Sequence, residues 1–237
     1  RLVYRGYDVH DLVNGGATFE EVIYLLWYGK LPNLRDLNEF KKRLAQHRRL
    51  PREVVAHLYT IPTSAPPMEA LRSAVSELAL YDNDERMTTE AHFERAFKLM
   101  SQVATIVAFD ERIRNERDLI QPDPSLSFSA NFLYMLTGKL PDAELARLFE
   151  ICLILHADHE LNASTFTARV IAATLSDMYS AIAGAIGALK GPLHGGANEQ
   201  VMRMLLEIGD PSRAEGYVKK LLSEKKKIMG FGHRVYK

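Results

Sequence analysis

Cysteine is almost absent from this sequence. Cys152 is the only one, inside an apolar run, which excludes an internal disulfide and any cysteine-rich zinc site. Net charge is missing too: 30 Lys and Arg offset 30 Asp and Glu, so no overall field steers the chain toward nucleic acid or an anionic membrane. Long apolar runs are lacking. The longest small-residue apolar stretch, Ala181 to Leu189, is too short to span a bilayer and contains two glycines. No signal peptide is recognisable, and no segment alternates apolar and polar residues long enough to read as a convincing strand. A cytoplasmic, all-α protein is the expectation. The chain opens without Met on Arg1-Leu2-Val3-Tyr4 and stops at Lys237, which reads as sequence from within a longer protein.

What is present is helical punctuation. Arg1 to Gly16 reads as an extended or turn-rich start. Thr18-Phe19-Glu20-Glu21 is a candidate capping box, followed by Val22, Ile23, Leu25, Leu26 and Trp27 and stopped by Gly29 and Pro32. Helices are predicted over 37–47, 53–59 and 68–80. A long one begins at Thr88 or Thr89 with Phe93, Ala96, Leu99, Val103, Ile106 and Val107 on its apolar face. Residues 112–124, charged and proline-marked, read as a solvated crossing. Helices are predicted again over 127–136 and 142–155, the second with Leu145, Leu148, Phe149, Cys152 and Leu153 inward. The alanine- and glycine-rich stretch 166–189 reads as a helix pair in a core or a subunit interface. Two more helices, 198–208 and 212–228, complete the pattern, the last with a lysine-rich solvated face.

Three turn-like interruptions carry histidine. They are His156-Ala157-Asp158-His159-Glu160-Leu161-Asn162-Ala163-Ser164-Thr165, Gly191-Pro192-Leu193-His194-Gly195-Gly196-Ala197-Asn198 and Gly230-Phe231-Gly232-His233-Arg234-Val235-Tyr236-Lys237. Polar residues in loops on a rigid helical scaffold are a common way to build a site. His156 and His159 are spaced for one helical face, but they are not the His-Glu-x-x-His signature and no cysteine supplements them, so no metal is assigned. His194 has no Gly-x-Ser-x-Gly partner motif, and neither glycine stretch matches a phosphate loop or a dinucleotide fingerprint. Histidines in such loops can donate to a developing oxyanion or carry a proton near neutral pH. From residue chemistry alone, two readings stand: an enzyme acting on a small anionic oxo compound, or a helical interaction protein.

Those three stretches, with Arg5-Gly6-Tyr7 and Phe19 through Pro32, resemble the citrate synthase family, including the 2-methylcitrate synthases, across almost the whole sequence. The resemblance implies a mostly helical homodimer with a large domain and a smaller mobile domain that closes over substrate. Residues 1–227 would belong to the large domain, and 228–237 would begin the smaller one. It implies condensation of acetyl-CoA with oxaloacetate, or of propionyl-CoA in the 2-methylcitrate branch, without a separate cofactor beyond the coenzyme A thioester. His194 would hydrogen-bond the thioester carbonyl as the enol forms, and His233 would polarise the oxaloacetate carbonyl and donate a proton. His159 would bind oxaloacetate, and Lys237 would face a CoA phosphate. The family's catalytic aspartate and most carboxylate-clamping arginines are expected beyond Lys237. The competing expectation is a non-catalytic helical dimer that keeps the scaffold. ATP-citrate lyase-like chemistry lacks support, since no ATP-grasp or phosphohistidine module is visible.

Overall fold

The computed structural model describes residues 2–232, which form two short strands and twelve α-helices with two single turns of 3₁₀ helix. Val3–Tyr4 (β1) and Tyr7–Asp8 (β2) pair antiparallel around Arg5-Gly6. Both turn residues have positive φ, 49° and 95°, the combination a tight hairpin needs to match strand twist. Asp8 then caps α1 (Val9–Asn14) by accepting from the His10 amide. The extended, turn-rich start is found, but α1 goes undetected in the sequence because its 6 residues are too few to show a period.

Local chemistry sets the helix ends. Thr18 Oγ1 accepts from the Glu21 amide while the Glu21 carboxylate accepts from the Thr18 amide, opening α2 (Phe19–Tyr28) with the expected capping box. Gly29 closes it in the left-handed region at φ 77°, and Gly138 closes α7 (Phe128–Thr137) at φ 78°. The repeated Gly-Lys-Leu-Pro string is therefore shared stop chemistry: αL geometry that glycine tolerates, then a proline that cannot continue the helix. Between them lie α3 (Leu34–Gln46), α4 (Arg52–Thr60), α5 (Pro67–Leu78) and α6 (Thr89–Arg114).

The long helix α6 is the central post, packed by α3, α4, α5, α7 and α10 (Met178–Leu189). It is buried on most sides, so the single apolar face expected from sequence is too narrow a description. Val107 on that face is 36% exposed, whereas Arg95, Ser101, Thr105, Asp110 and Arg112 are buried. The buried polar groups have partners, as burial demands. Ser101 donates to the Leu44 carbonyl, Thr105 to the Arg48 carbonyl, and Arg112 to the Asp118 and Leu136 carbonyls. The helix thus runs into the segment expected to be a solvated crossing, and Arg112 ties that crossing down from inside.

A second departure concerns α8 (Ala143–His156). Leu145, Leu148 and Cys152 are exposed among the described residues, while Glu150 and Ile154 are buried. The inward face is decided by hydrogen bonding. Glu150 accepts from the Phe19 amide at 3.2 Å and from Arg147 at 2.7 Å, and Arg147 also donates to the Ala17 and Val13 carbonyls. Phe149 is half-buried and stacks on Phe132.

The small-residue region forms α9 (Ala163–Ala173) and α10, packed on each other, with α10 also lying on α5. A Cβ added to Gly184 would collide with Ile171 Cδ1 of α9, so the missing side chain sets how closely the pair packs. The amino end of α10 is anchored by a buried charge cluster. Asp82 pairs with Arg95 at 3.0 Å and Lys98 at 2.7 Å, and Tyr179 bonds the same carboxylate. Burial pushes the Tyr179 phenol well above its ordinary value, reinforced by the Asp82 charge. After the glycine loop come α11 (Gly196–Ile208) and α12 (Ala214–Ser223). The last helix ends five residues before the expected Ile228: Lys225 adopts φ 53° and the Lys226 amide bonds back to the Leu221 carbonyl, a Schellman stop. Its lysines are exposed, as expected.

Candidate active site

Two of the three histidine stretches are described: one leads into α9 and the other leaves α10, its packed neighbour. The first follows α8. The His156 ring bonds the Cys152 carbonyl one turn back at 2.7 Å, which accounts for that histidine as part of the helix end. The Ile154 carbonyl accepts from the Ala157 amide at 3.2 Å and from the Tyr4 hydroxyl at 2.7 Å, and the Tyr4 hydroxyl oxygen in turn accepts from the Asp158 amide at 3.4 Å. Burial raises the Tyr4 phenol above its ordinary value, so it stays a protonated donor near neutral pH.

Beyond Asp158 the chain turns sharply. The Asp158 carboxylate accepts from the Glu160 amide at 3.0 Å, and Glu160 takes φ 55°, an uncommon conformation for a residue with a side chain. Asp158 is therefore occupied in shaping its own loop. His159, at the crest, is exposed. Asn162 then starts α9 by accepting from the Thr165 amide.

The second stretch is the glycine loop between α10 and α11. The His194 amide donates to the Gly191 carbonyl at 3.0 Å, and so does the Gly196 amide at 3.2 Å, curling the loop over one acceptor. Gly195 has ordinary helical φ, −65°; what matters is space. A Cβ there would fall 2.5 Å from both the carbonyl oxygen and Cδ1 of Leu189. Glycine lets the loop fold flat against the end of α10.

The two stretches meet at one contact. Nε2 of the half-buried His194 lies 2.7 Å from Oγ of Ser164, in the first turn of α9. Five residues of chain separate Ser164 from His159, at most about 18 Å even fully extended. Ser164 went unassigned in the sequence reading although it stands in the first histidine stretch. It stands one residue inside the helix that Asn162 caps through the Thr165 amide, where a serine is ordinary helix-start chemistry. Tyr4 gave no sequence signal beyond its place next to Arg5-Gly6-Tyr7.

His233 and Lys237 lie outside the described residues. Among the described residues, no group of three or more His, Cys, Asp or Glu side chains is arranged to hold a metal ion, and no helix is long and apolar enough to cross a membrane.

Comparison with known proteins places this geometry in a family. The family model for "Citrate synthase, C-terminal domain" matches residues 1–237. The chain is 51% identical to citrate synthase 2 of Bacillus subtilis, covering 100% of this chain and 64% of that protein. It is 47% identical to 2-methylcitrate synthase 2 of Corynebacterium glutamicum, covering 100% of this chain and 63% of that one. Among solved structures, citrate synthase from Thermotoga maritima superposes with TM-score 0.83 at 46% identity, over 100% of this chain and 62% of that one. The ternary complex of carboxymethyl coenzyme A and oxaloacetate with citrate synthase from Thermoplasma acidophilum superposes with TM-score 0.88 at 34% identity, over 98% and 61%. The fold is the all-α, multihelical one of the citrate synthases, and the chain belongs to the citrate synthase family. It spans somewhat under two thirds of the length of these curated relatives.

Proposed function

We propose that the full-length protein is a citrate synthase, condensing acetyl-CoA with oxaloacetate and hydrolysing the resulting thioester to citrate and CoA. The observation that carries this reading is the Ser164–His194 contact, which fixes an imidazole on a glycine loop beside the loop of His159. Neutral imidazole has one donor and one acceptor nitrogen. When Ser164 donates to Nε2, the other nitrogen carries the proton and can donate to a thioester carbonyl. That hydrogen bond stabilises the enol oxygen as a base removes the methyl proton. The enol carbon then attacks the ketone carbon of oxaloacetate. The new carbon–carbon bond forms, and the ketone oxygen takes a proton from His233. Water next adds to the thioester carbon, and CoA leaves as the thiol.

In this reading His159 contacts oxaloacetate, Lys237 faces a CoA phosphate, and no metal or separate cofactor is needed. Residues 1–227 belong to the large domain and 228–237 begin the smaller one, whose closure would shield the enol from solvent. A cytoplasmic setting fits the single thiol, Cys152, which stays reduced there. A second copy of the chain is placed on the groove between α5 and α10, lined by Ser73, Ser76, Leu80, Ala183, Gly184 and Gly187. Leu80 is 76% exposed beside it, and the small residues allow close helix approach.

The 2-methylcitrate synthase reading rests on the Corynebacterium relatives, whose 47% identity falls between that of citrate synthases at 51% and at 44%. A packing difference of one methylene gives limited discrimination. The deciding experiment follows free-CoA release by the full-length protein with oxaloacetate, comparing acetyl-CoA with propionyl-CoA. Faster acetyl-CoA turnover supports citrate synthase; a propionyl-CoA preference moves the assignment to 2-methylcitrate. A folded dimer that releases CoA from neither is the non-catalytic scaffold.

A further inference from the structure

We infer that Tyr4 is a positioning residue for substrate: through one hydroxyl it holds the loop that presents His159. The inference rests on the proposed role of His159 toward oxaloacetate.

The N-terminal hairpin is far from that loop in sequence, 150 residues from Ile154 and 154 from Asp158. It is nonetheless built into the end of α8. A helix leaves its last carbonyls without internal partners, and a buried end must find partners elsewhere. Ile154 is fully buried; its carbonyl accepts one bond from the Ala157 amide at 3.2 Å, and water is not available to its second lone pair. The Tyr4 hydroxyl, on a side chain only 1% exposed, donates to it. The same oxygen accepts from the Asp158 amide, the last backbone donor before His159. One hydroxyl thus bridges the final turn of α8 and the first residue of the sharp turn.

The other side of the hairpin is fixed as well. Arg5 donates from Nη2 to the Leu26 carbonyl at 3.1 Å, in the last turn of α2, and the Val9 amide donates to the Leu2 carbonyl. The hairpin is a strap between the carboxyl ends of α2 and α8. This gives the Arg5-Gly6 turn a purpose. Its two positive-φ residues make the hairpin tight, so that Tyr4 faces the core while Arg5 reaches α2. Phenylalanine at position 4 would keep the ring in the core and remove only the bridge. The Asp158 amide would then lose the hydroxyl that accepts from it, the Ile154 carbonyl would keep only the Ala157 amide, and the His159 loop would sample more conformations.

The test uses the full-length protein with Tyr4→Phe and, as a control for the other anchor, Arg5→Ala. Hydrogen exchange by mass spectrometry reads the peptide containing residues 155–162, and steady-state kinetics read both substrates. Tyr4→Phe should speed exchange in that peptide and raise KM for oxaloacetate about three- to tenfold, the worth of one hydrogen bond, with kcat and the acyl-CoA KM within about twofold. Arg5→Ala should leave both readouts near wild type. Unchanged exchange in Tyr4→Phe overturns the inference, and so does faster exchange with an unchanged oxaloacetate KM. A uniform rise in both KM values with a matching loss of melting temperature would also overturn it, by reducing Tyr4 to a packing residue. If wild-type protein shows no oxaloacetate-dependent CoA release, the functional reading fails, and exchange alone decides whether Tyr4 orders the loop.

Discussion

Ser164 Oγ and His194 Nε2 stand 2.7 Å apart, joining the first turn of α9 to the glycine loop at the far end of α10. Because α9 and α10 are consecutive, packed helices, that contact closes a hairpin of helices at its open end. With Ser164 as the donor, it also leaves the proton on the other imidazole nitrogen. Ser164→Ala should therefore leave the fold intact and lower kcat for CoA release about tenfold, the scale of one hydrogen bond to a reacting group. Circular dichroism and steady-state turnover on the full-length protein check this. Unchanged kcat would remove Ser164 from the site.

The flat glycine loop depends on the space at Gly195. Gly195→Ala puts a methyl 2.5 Å from the Leu189 carbonyl, a backbone atom that cannot rotate away. A destabilisation of about 1–3 kcal/mol is expected, as for other overpacking changes, together with loss of turnover beyond that of Ser164→Ala. Chemical denaturation and kinetics of the variant measure both effects.

Gly184 offers a contrast. There the colliding atom is the tip of Ile171, a side chain that can be shortened. Gly184→Ala alone should cost about 1–3 kcal/mol, and combining it with Ile171→Ala should recover part of that loss, giving a non-zero coupling energy. Strict additivity in the double-mutant cycle would place the strain elsewhere.

Asp82 ties α6 to α10 and has a definite pH signature. Burial by itself would raise its carboxyl, but Lys98 and Arg95, with Tyr179, hold it below the usual carboxylate range. A folded-state value below the unfolded one of about 3.9 contributes stability above that pH, and the contribution is lost as pH falls through the folded value. Asp82→Asn should thus be less stable than wild type at pH 7, with the difference shrinking below about pH 4. Melting temperatures across that range check the trend; a constant offset would contradict it.

The groove between α5 and α10 predicts an oligomeric effect. A Cβ on Gly187 meets only Arg72 Cδ, at 4.0 Å, so a larger side chain extends into the groove without disturbing the helix pair. Gly187→Leu should shift the full-length protein from dimer toward monomer in light scattering while its helical content is kept. A dimer of unchanged stability would move the interface to another face.

Much of this architecture was legible in the sequence because helix ends are local. The capping box at Thr18, the glycine stops at positions 29 and 138 and the alanine-rich pair all follow from neighbours a few residues apart. What escaped depends on distant partners. Glu150 displaced Leu145 and Leu148 from the inner face of α8 because the Phe19 amide and Arg147 await it there. Arg112 looked solvated until its carbonyl partners were in place. In the site, His159 and His194 stood out as histidines between helices, whereas Ser164 and Tyr4 act through bonds spanning 30 and 154 residues. No periodicity reports a contact of that kind.

In the proposed reaction His194 serves a thioester condensation. Its most direct test is oxaloacetate-dependent release of CoA from acetyl-CoA by the full-length protein, wild type against His194→Ala. The wild type should turn over and the variant should lose about 10²–10³-fold in kcat, the scale of removing an oxyanion donor, with its helical spectrum unchanged. Equal turnover by the two proteins would contradict that role.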